Sequence, residues 1–557
     1  MKMENWTTKI KPYQELTGNI NNPFKVAFVR PGGNYSSLIF PDSPRIGIPL
    51  GILYIAGALK SDDSIECKVF DALAYPDLDK NSFKKYPYYF GTSLEKLVVE
   101  IMDFNPDLVA ISSGAEFYFK STIDTIESIA KTISGIFIVA GGPDLNAQYT
   151  EYLNNAPSLN AIVLGEGEET IKDLAECLKN GRNWRNIQNI IYKENNKIIR
   201  NPGRPYLEDL DYYFPAYELI DMEHYFNLNK MGYFARTTYS YIDSNRSIYI
   251  ITSRGCPYEC TFCSIFIHMG RPFRSNSSEY VINHIKYLIE RYNIRHIHFE
   301  DDNLTLNLPR FKRILKGIID NNFDITWDTP NGVRGDLLDR EAIELAKKSG
   351  CIYLCFGIES GKENTINEIA NKDMNLLKIE ESMKTCKEMG IDTQAFYIIG
   401  MPGETRRDIE ETYKYMFDNF KKYRTIPLVN LFRPLKGTSL YQISTDKGYL
   451  INTKETNALE KYGIPQVLFS SNMVETREFD LKYLAKIFQK YKIRLVINAY
   501  LGWVKIILSN PMVYIRSFIN FFYQLAQNQF NLSKTMRSFF WNKMIYPYSN
   551  IRWEGKK

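Results

Sequence analysis

Three cysteines crowd into one short stretch, Arg254-Gly255-Cys256-Pro257-Tyr258-Glu259-Cys260-Thr261-Phe262-Cys263, with the spacing C-x3-C-x2-C. Of the 8 cysteines in the chain, only Cys351 and Cys355 otherwise come so close. Thiolates at this spacing can ligate three irons of a 4Fe-4S cluster from one loop and leave the fourth iron open. A four-cysteine ferredoxin run closes its cluster and only moves electrons. An open iron can bind and activate a small molecule. The alternatives fit less well. Structural zinc needs four N or S ligands, and the nearest fourth donor is His268. Disulfides belong to oxidising compartments. A polar N-terminus, the lack of a secretory signal and few cysteines for 557 residues lead us to expect a reducing cytosol.

Such a loop must hang on a scaffold. Ile248-Tyr249-Ile250-Ile251-Thr252 reads as a strand running straight into the cysteines. Strand-like segments recur at 296–299, 324–328, 352–357, 392–400 and 428–432, separated by helical periodicity at 279–291, 310–320, 341–348, 380–389 and 405–419. Six βα units make a partial (β/α)6 TIM-like barrel, in which chemistry sits on the loops after the strands. Residues 25–180 show an earlier alternation, expected as a Rossmann-like, doubly wound parallel sheet. Its ligands should lie beyond the carboxyl ends of the strands. Those ends carry Gly32, Ser112-Ser113, Gly141-Gly142-Pro143 and Gly165-Glu166-Gly167. No G-x-G-x-x-G follows the first strand, which argues against a dinucleotide. The expected division is an N-terminal extension at 1–24, the first α/β domain at 25–180, a connector with a hairpin at 181–245, the barrel at 246–442 and a mostly helical region at 443–557.

The cysteine loop, with Phe262 before its last cysteine, resembles the signature of radical S-adenosylmethionine (SAM) enzymes. The resemblance implies that Cys256, Cys260 and Cys263 hold the cluster and that SAM chelates the open iron. One-electron reduction then yields methionine and a 5′-deoxyadenosyl radical. It further implies that Phe262 lies near the adenine, that one of Glu300, Asp301 and Asp302 receives the SAM ammonium, and that Glu359-Ser360 holds the ribose. Arg334 would face the SAM carboxylate, and Ile399 would lie near the adenine. The acids Asp301 and Asp302 could instead cap the next helix.

"GGP" at 141–143, "GEGE" at 165–168, Asp71-Ala72-Leu73 and Ile48-Pro49-Leu50-Gly51 resemble the cobalamin (B12) domain of the B12-dependent radical SAM group. Gly32, Ser112, Ser113, Gly141, Gly142, Asp144, Gly165, Glu166 and Gly167 are its expected contacts. Asp144 stands where the group often has histidine, and the first of the 5 histidines is His224. Cobalamin bound here is therefore expected base-off, with water, nothing, or at most an oxygen donor below the cobalt. The resemblance implies a methyltransferase acting on an unactivated carbon. The same cofactors also serve cyclisation, ring contraction or oxidation, and a third possibility is a non-catalytic B12 sensor. No catalytic side chain beyond the cofactor ligands is identified.

A net charge of +5 gives no reason to expect nucleic acid. Partners expected are a small-molecule substrate, hydrophobic or lipid-like, and an electron donor such as flavodoxin or ferredoxin. The aromatic, basic C-terminal stretch, with Trp503–Leu508, Met512–Leu525 and Ser533–Met544, reads either as a cap on the barrel or as a peripheral membrane surface. No apolar run reaches the roughly 18 residues of a spanning helix.

Overall fold

A computed structural model describes residues 22–35, 46–77, 88–115, 118–230, 245–452 and 472–509. The first α/β unit runs β1 (Phe24–Arg30), β2 (Gly33–Tyr35), α1 (Leu50–Leu59), β3 (Ile65–Asp71), β4 (Tyr88–Phe90), α2 (Leu94–Phe104), β5 (Leu108–Ser112), α3 (Phe119–Thr132), β6 (Phe137–Gly141), α4 (Pro143–Asn155), β7 (Ala161–Val163), α5 (Glu168–Lys179), β8 (Ile190–Glu194) and β9 (Lys197–Arg200). The sheet order is β3-β1-β5-β6-β7-β8-β9. Its first five strands are parallel. Buried residues of α1 and α5 pack one face, and those of α2, α3 and α4 the other. The winding reverses between β1 and β5, where such sheets open a crevice for ligands.

Two features depart from the sequence reading. Helix α4 was not expected, because Pro143–Asn155 is mostly polar and kinks at Gln148 (φ −134°). Its legible signal was Pro143, which suits the first helical position. The hairpin β8–β9, expected in the connector, adds to the first sheet antiparallel to β7.

Helix α6 (Met222–Lys230) leads toward the barrel. The barrel runs β10 (Ser247–Ile250), β11 (Ser253–Arg254), β12 (Arg274–Ser275), α7 (Ser278–Tyr292), β13 (His296–Phe299), α8 (Leu308–Asp320), β14 (Thr326–Val333), α9 (Arg340–Lys348), β15 (Cys351–Glu359), α10 (Leu376–Met389), β16 (Asp392–Ile399), α11 (Arg406–Tyr423), β17 (Ile426–Leu431) and α12 (Ser439–Asp446). The strands β10-β13-β14-β15-β16-β17 form one parallel sheet. Side-chain caps start the helices that follow these strands. Ser277, Asn307, Asp339 and Asn375 each accept an N–H two or three residues into their helix, and Thr405 forms a capping box with Asp408. The acids 301 and 302 are thus not caps.

Alternation along the strands sorts the core. Trp327 packs edge-on to Phe311 of α8 and so faces the helices. Asp328 therefore faces the barrel interior, with His296 and His298 on the neighbouring strand. His298 Nδ1 lies 2.7 Å from Asp328 Oδ1, and His296 Nδ1 lies 2.7 Å from Thr326 Oγ1. This layer is fully buried, and burial pushes His296 down to about 4. Cys351, Cys355 and Cys386 are also fully buried.

A helix at Leu481–Ser509 buries Leu481, Leu484, Phe488, Tyr491 and Leu495 in the barrel core, and Tyr491 donates to the Pro427 carbonyl at 3.0 Å. This part of the C-terminal region is a cap. Met512–Leu525, Ser533–Met544 and the extension at 1–21 lie outside the described residues. No helix among the described residues is long and apolar enough to cross a membrane.

Candidate active site at the cysteine loop

The loop after β10 is held from several sides. Gly255 has φ +80°, and a Cβ there would lie 2.3 Å from the Pro272 carbonyl, so only glycine fits. The Gly255 N–H donates to Asp302 Oδ2 at 2.9 Å. Thr261 donates its N–H to Ala370 and its hydroxyl to the Ile369 carbonyl, and its own carbonyl accepts from Leu440. Arg271 and Asn371 bond the carbonyls of Tyr258 and Glu259. These anchors hold the loop that carries Cys256, Cys260 and Cys263, all half-buried and outside any disulfide. Burial pushes the Cys263 thiol up to about 11, with the other two thiols adding repulsion. Three such thiols suit a bound cation centre, because metal ligation deprotonates thiols outright. Asn303 Nδ2 lies 3.7 Å from Cys256 Sγ, an N–H···S contact that sequence reasoning missed.

The acids after β13 divide in an unexpected way. Asp301 is buried and accepts from the Thr252 N–H at 3.1 Å and the Thr252 hydroxyl at 2.7 Å, with the Ser253 hydroxyl at 2.5 Å. Asp302 is taken by Gly255, and burial pushes it up to about 6. Asp301 and Asp302, two of the three acids expected as candidates for the SAM ammonium, thus bond the segment that carries the cysteines. Glu300, the first of the three acids, is half-buried.

Arg334 also departs from expectation. It grips Asp336 through two nitrogens, at 3.0 and 2.6 Å, donates to the Lys372 and Asp373 carbonyls, and covers the Tyr258 ring at 4.0 Å. Its donors go to Asp336 and to the backbone at 372–373, and its guanidinium meets the cysteine loop only over the Tyr258 ring. Ser360 is fully buried, with its hydroxyl 2.8 Å from that of Thr412. The Ile399 side chain packs in the barrel core, and its carbonyl accepts from Phe432. Glu359 differs. It holds a left-handed φ of +71°, unusual for a residue with a side chain, and pairs with Lys372 at 2.5 Å. Such strain is a signature of functional positions. Phe262 leans on Ala370, Met401, Phe432 and Leu440, forming a ledge beside the loop after β16.

That loop carries Glu404, fully buried, whose Oε2 accepts from the N–H groups of Gly400 and Met401 at 2.7 Å each. Burial pushes its carboxyl up to about 8. The folded state then keeps a proton that the unfolded chain releases near its ordinary carboxyl value. Stability should therefore fall as pH rises from about 4.5 to about 8, by at most about 1.4 kcal/mol per pH unit. Glu404→Gln mimics the protonated acid and should flatten that slope. Thermal unfolding of both proteins across this range checks it; parallel profiles would contradict the assignment.

On the first sheet, a Cβ at Gly32 would lie 2.3 Å from the Tyr89 hydroxyl oxygen, and one at Gly142 (φ +110°) would lie 2.5 Å from the Ser113 carbonyl. Gly32 and Gly142 are thus glycine because Tyr89 and the Ser113 backbone pack directly against them at these strand ends. The Ser113 hydroxyl turns inward to Tyr152, at 3.1 Å. Asp144 sits in the first turn of α4 and accepts from Gln148 at 2.7 Å and from Tyr152. It is occupied by its own helix, so the expected oxygen donor below cobalt is already engaged. Gly165 and Gly167 meet the barrel and α1: a Cβ at Gly165 would lie 3.9 Å from the His268 carbonyl, and one at Gly167 2.8 Å from Ile55. Glu166 accepts from Leu207, Arg254 and Arg274 at 2.9, 2.9 and 2.6 Å, which ties its strand-end loop to the barrel. His268, the alternative zinc donor, is pushed down to about 4 by burial.

Comparison with known proteins agrees with this arrangement. A Radical SAM superfamily model matches residues 250–416, and a B12 binding domain model matches residues 39–175. An uncharacterized methyltransferase of Pyrococcus horikoshii is 30% identical over 407 residues, covering 73% of this chain and 80% of the relative. An anaerobic magnesium-protoporphyrin IX monomethyl ester cyclase of Rubrivivax gelatinosus is 26% identical over 399 residues, covering 70% of this chain and 66% of the cyclase. Among solved structures, the radical SAM methyltransferase TsrM of Kitasatospora setae, with tryptophan substrate and a SAM analog bound, superposes with a TM-score of 0.60. It is 16% identical, and the match covers 77% of this chain and 78% of TsrM, which bears on the fold.

Proposed function

Because this chain belongs to the radical SAM superfamily and carries a B12-binding domain, we propose that it is a cobalamin-dependent methyltransferase that alkylates an unactivated carbon of a small molecule. The observation that carries the reading is the apposition of two sites. The strand-end loop at Gly165–Glu166 lies against the segment that carries the cysteines, where Arg254 bonds Glu166 and the His268 backbone lies beside Gly165, which supports one shared centre. The groups supply, when bound, a SAM-derived radical at the cluster and a transferable methyl at cobalt.

Overall, R–H, two SAM and two electrons become R–CH3, S-adenosylhomocysteine, methionine and 5′-deoxyadenosine. The electrons come from a one-electron donor of the flavodoxin or ferredoxin class. This chain's own residues bind and orient. Cys256, Cys260 and Cys263 ligate the cluster. One of the acids at 300–302 would receive the SAM ammonium, Glu359 with Lys372 would shape the ribose side, and Phe262 would supply an apolar ledge for the adenine. Gly32, Ser112, Gly141 and Gly142 end the strands of the B12-binding domain on the side where the corrin would lie. Asp301 and Asp302 hold the loop that the cluster needs.

The identity to a cyclase favours a second reading, in which the same cofactors close a ring without methyl transfer. Anaerobic turnover with SAM, reductant and extracts of the native cell's small molecules separates the two. S-adenosylhomocysteine together with 5′-deoxyadenosine is the expected pair. 5′-Deoxyadenosine alone would favour the cyclase-type reading, and neither product, from fully loaded enzyme, would sink both.

A further inference from the structure

Two polar clusters bridge the sheets. At the first, Arg254 donates to Glu166 at 2.9 Å and to Glu168 at 2.7 Å, while Arg274 donates to Glu166 at 2.6 Å. These four side chains are 5–12% exposed. Glu166 and Glu168 follow β7, at the expected corrin rim. Arg254 stands two residues before Cys256 and leans on the Tyr54 ring of α1 at 5.2 Å. At the second, Lys436, on the loop after β17, donates to Gln148 at 2.8 Å and to Glu151 at 2.6 Å. Gln148 passes the contact to Asp144, which meets Tyr152 and through it Ser113.

A buried ion pair adds little stability beyond an apolar contact of the same volume. Its directional bonds, however, fix geometry. One clasp would leave the two units free to rotate about it, whereas two separated clasps set both spacing and angle. We propose that these clasps are positioning devices that hold the corrin rim in register with the cysteine loop, with Glu166 and Arg254 as the principal positioning residues. The proposal rests on the functional reading above.

The test uses full-length, reconstituted Glu166→Gln and Lys436→Met, the second being the more exposed clasp. Two reactions are timed without substrate: reductive cleavage of SAM, which needs only the cluster side, and methylation of reduced cobalamin by SAM, followed by its absorption change, which needs both sides in register. Iron and cobalamin content should match wild type, and cleavage should stay within about twofold. Methylation should fall by about 100-fold in Glu166→Gln and about tenfold in Lys436→Met, since a 1 Å misplacement can cost on the order of 100-fold. Unchanged methylation, or a parallel loss of both reactions, overturns the proposal. If Glu166→Gln does not fold, Lys436→Met decides by the same criterion. Wild type that binds no cobalamin would overturn the functional reading itself, a separate and recognisable result.

Discussion

Cys260→Ala is expected to bring bound iron to background and abolish reductive cleavage of SAM, while circular dichroism and the unfolding midpoint stay near wild type. Cys260 is half-buried on an irregular loop, and burial raises its thiol above the ordinary range. A thiol that resists ionisation unaided contributes little to the apo fold, but becomes a ligand once a metal centre displaces its proton. The loop keeps its shape in the variant because its anchors are elsewhere, at Gly255 on Asp302 and at Thr261 on residues 369 and 370. The control is Cys355→Ala. Cys355 is fully buried in β15, so the variant should lose stability by about 1 kcal/mol and keep its iron. Iron retained in Cys260→Ala, or lost in Cys355→Ala, would contradict the cluster assignment.

Asp301→Ala is expected to be the most destabilising change at the site, about 3–5 kcal/mol. Burial raises the Asp301 carboxyl, and nearby Arg310 with the Ser253 and Thr252 bonds offsets it. Arg310 itself donates to the Asn276 carbonyl at 2.7 Å and the Thr252 carbonyl at 2.8 Å, tying the charge to the same segment. Removing the carboxylate strands two hydroxyls, one N–H and a buried guanidinium where no solvent can replace it. Asp301→Asn keeps an acceptor and should cost only about 1–3 kcal/mol. Urea unfolding of both variants checks the ranking. An Asp301→Ala protein as stable as wild type would remove the anchoring role.

The cysteine spacing and both βα alternations were legible because they are local: ligands within one loop, apolar periods within one element. Direction was not. A strand end at Glu300-Asp301-Asp302 tells only that acids are present. Which one turns away depends on Thr252 and Ser253, 49 and 48 positions earlier. That Glu166 ties its loop to the barrel was hidden because its partner Arg254 lies 88 positions on. Arg334 looked like a spare cation until the carbonyls of Lys372 and Asp373 came round to meet it. Ser360 is a hydroxyl next to a strained glutamate, and only the packing of α11 brings Thr412 to it. Helix α4 escaped because its apolar face is narrow. Its anchor to the barrel, Lys436 on Glu151, spans 285 positions.

The central claim is that two cofactors share one centre, the cluster on the cysteine loop and a cobalamin with no histidine from its own domain. Electron paramagnetic resonance of Co(II)-loaded enzyme, recorded with the cluster oxidised and then reduced, tests it most directly. The expected spectrum is base-off, without nitrogen superhyperfine splitting, and its cobalt signal relaxes faster once the cluster is paramagnetic. Strong nitrogen splitting from a protein imidazole, or cobalt relaxation indifferent to cluster reduction, would contradict the account.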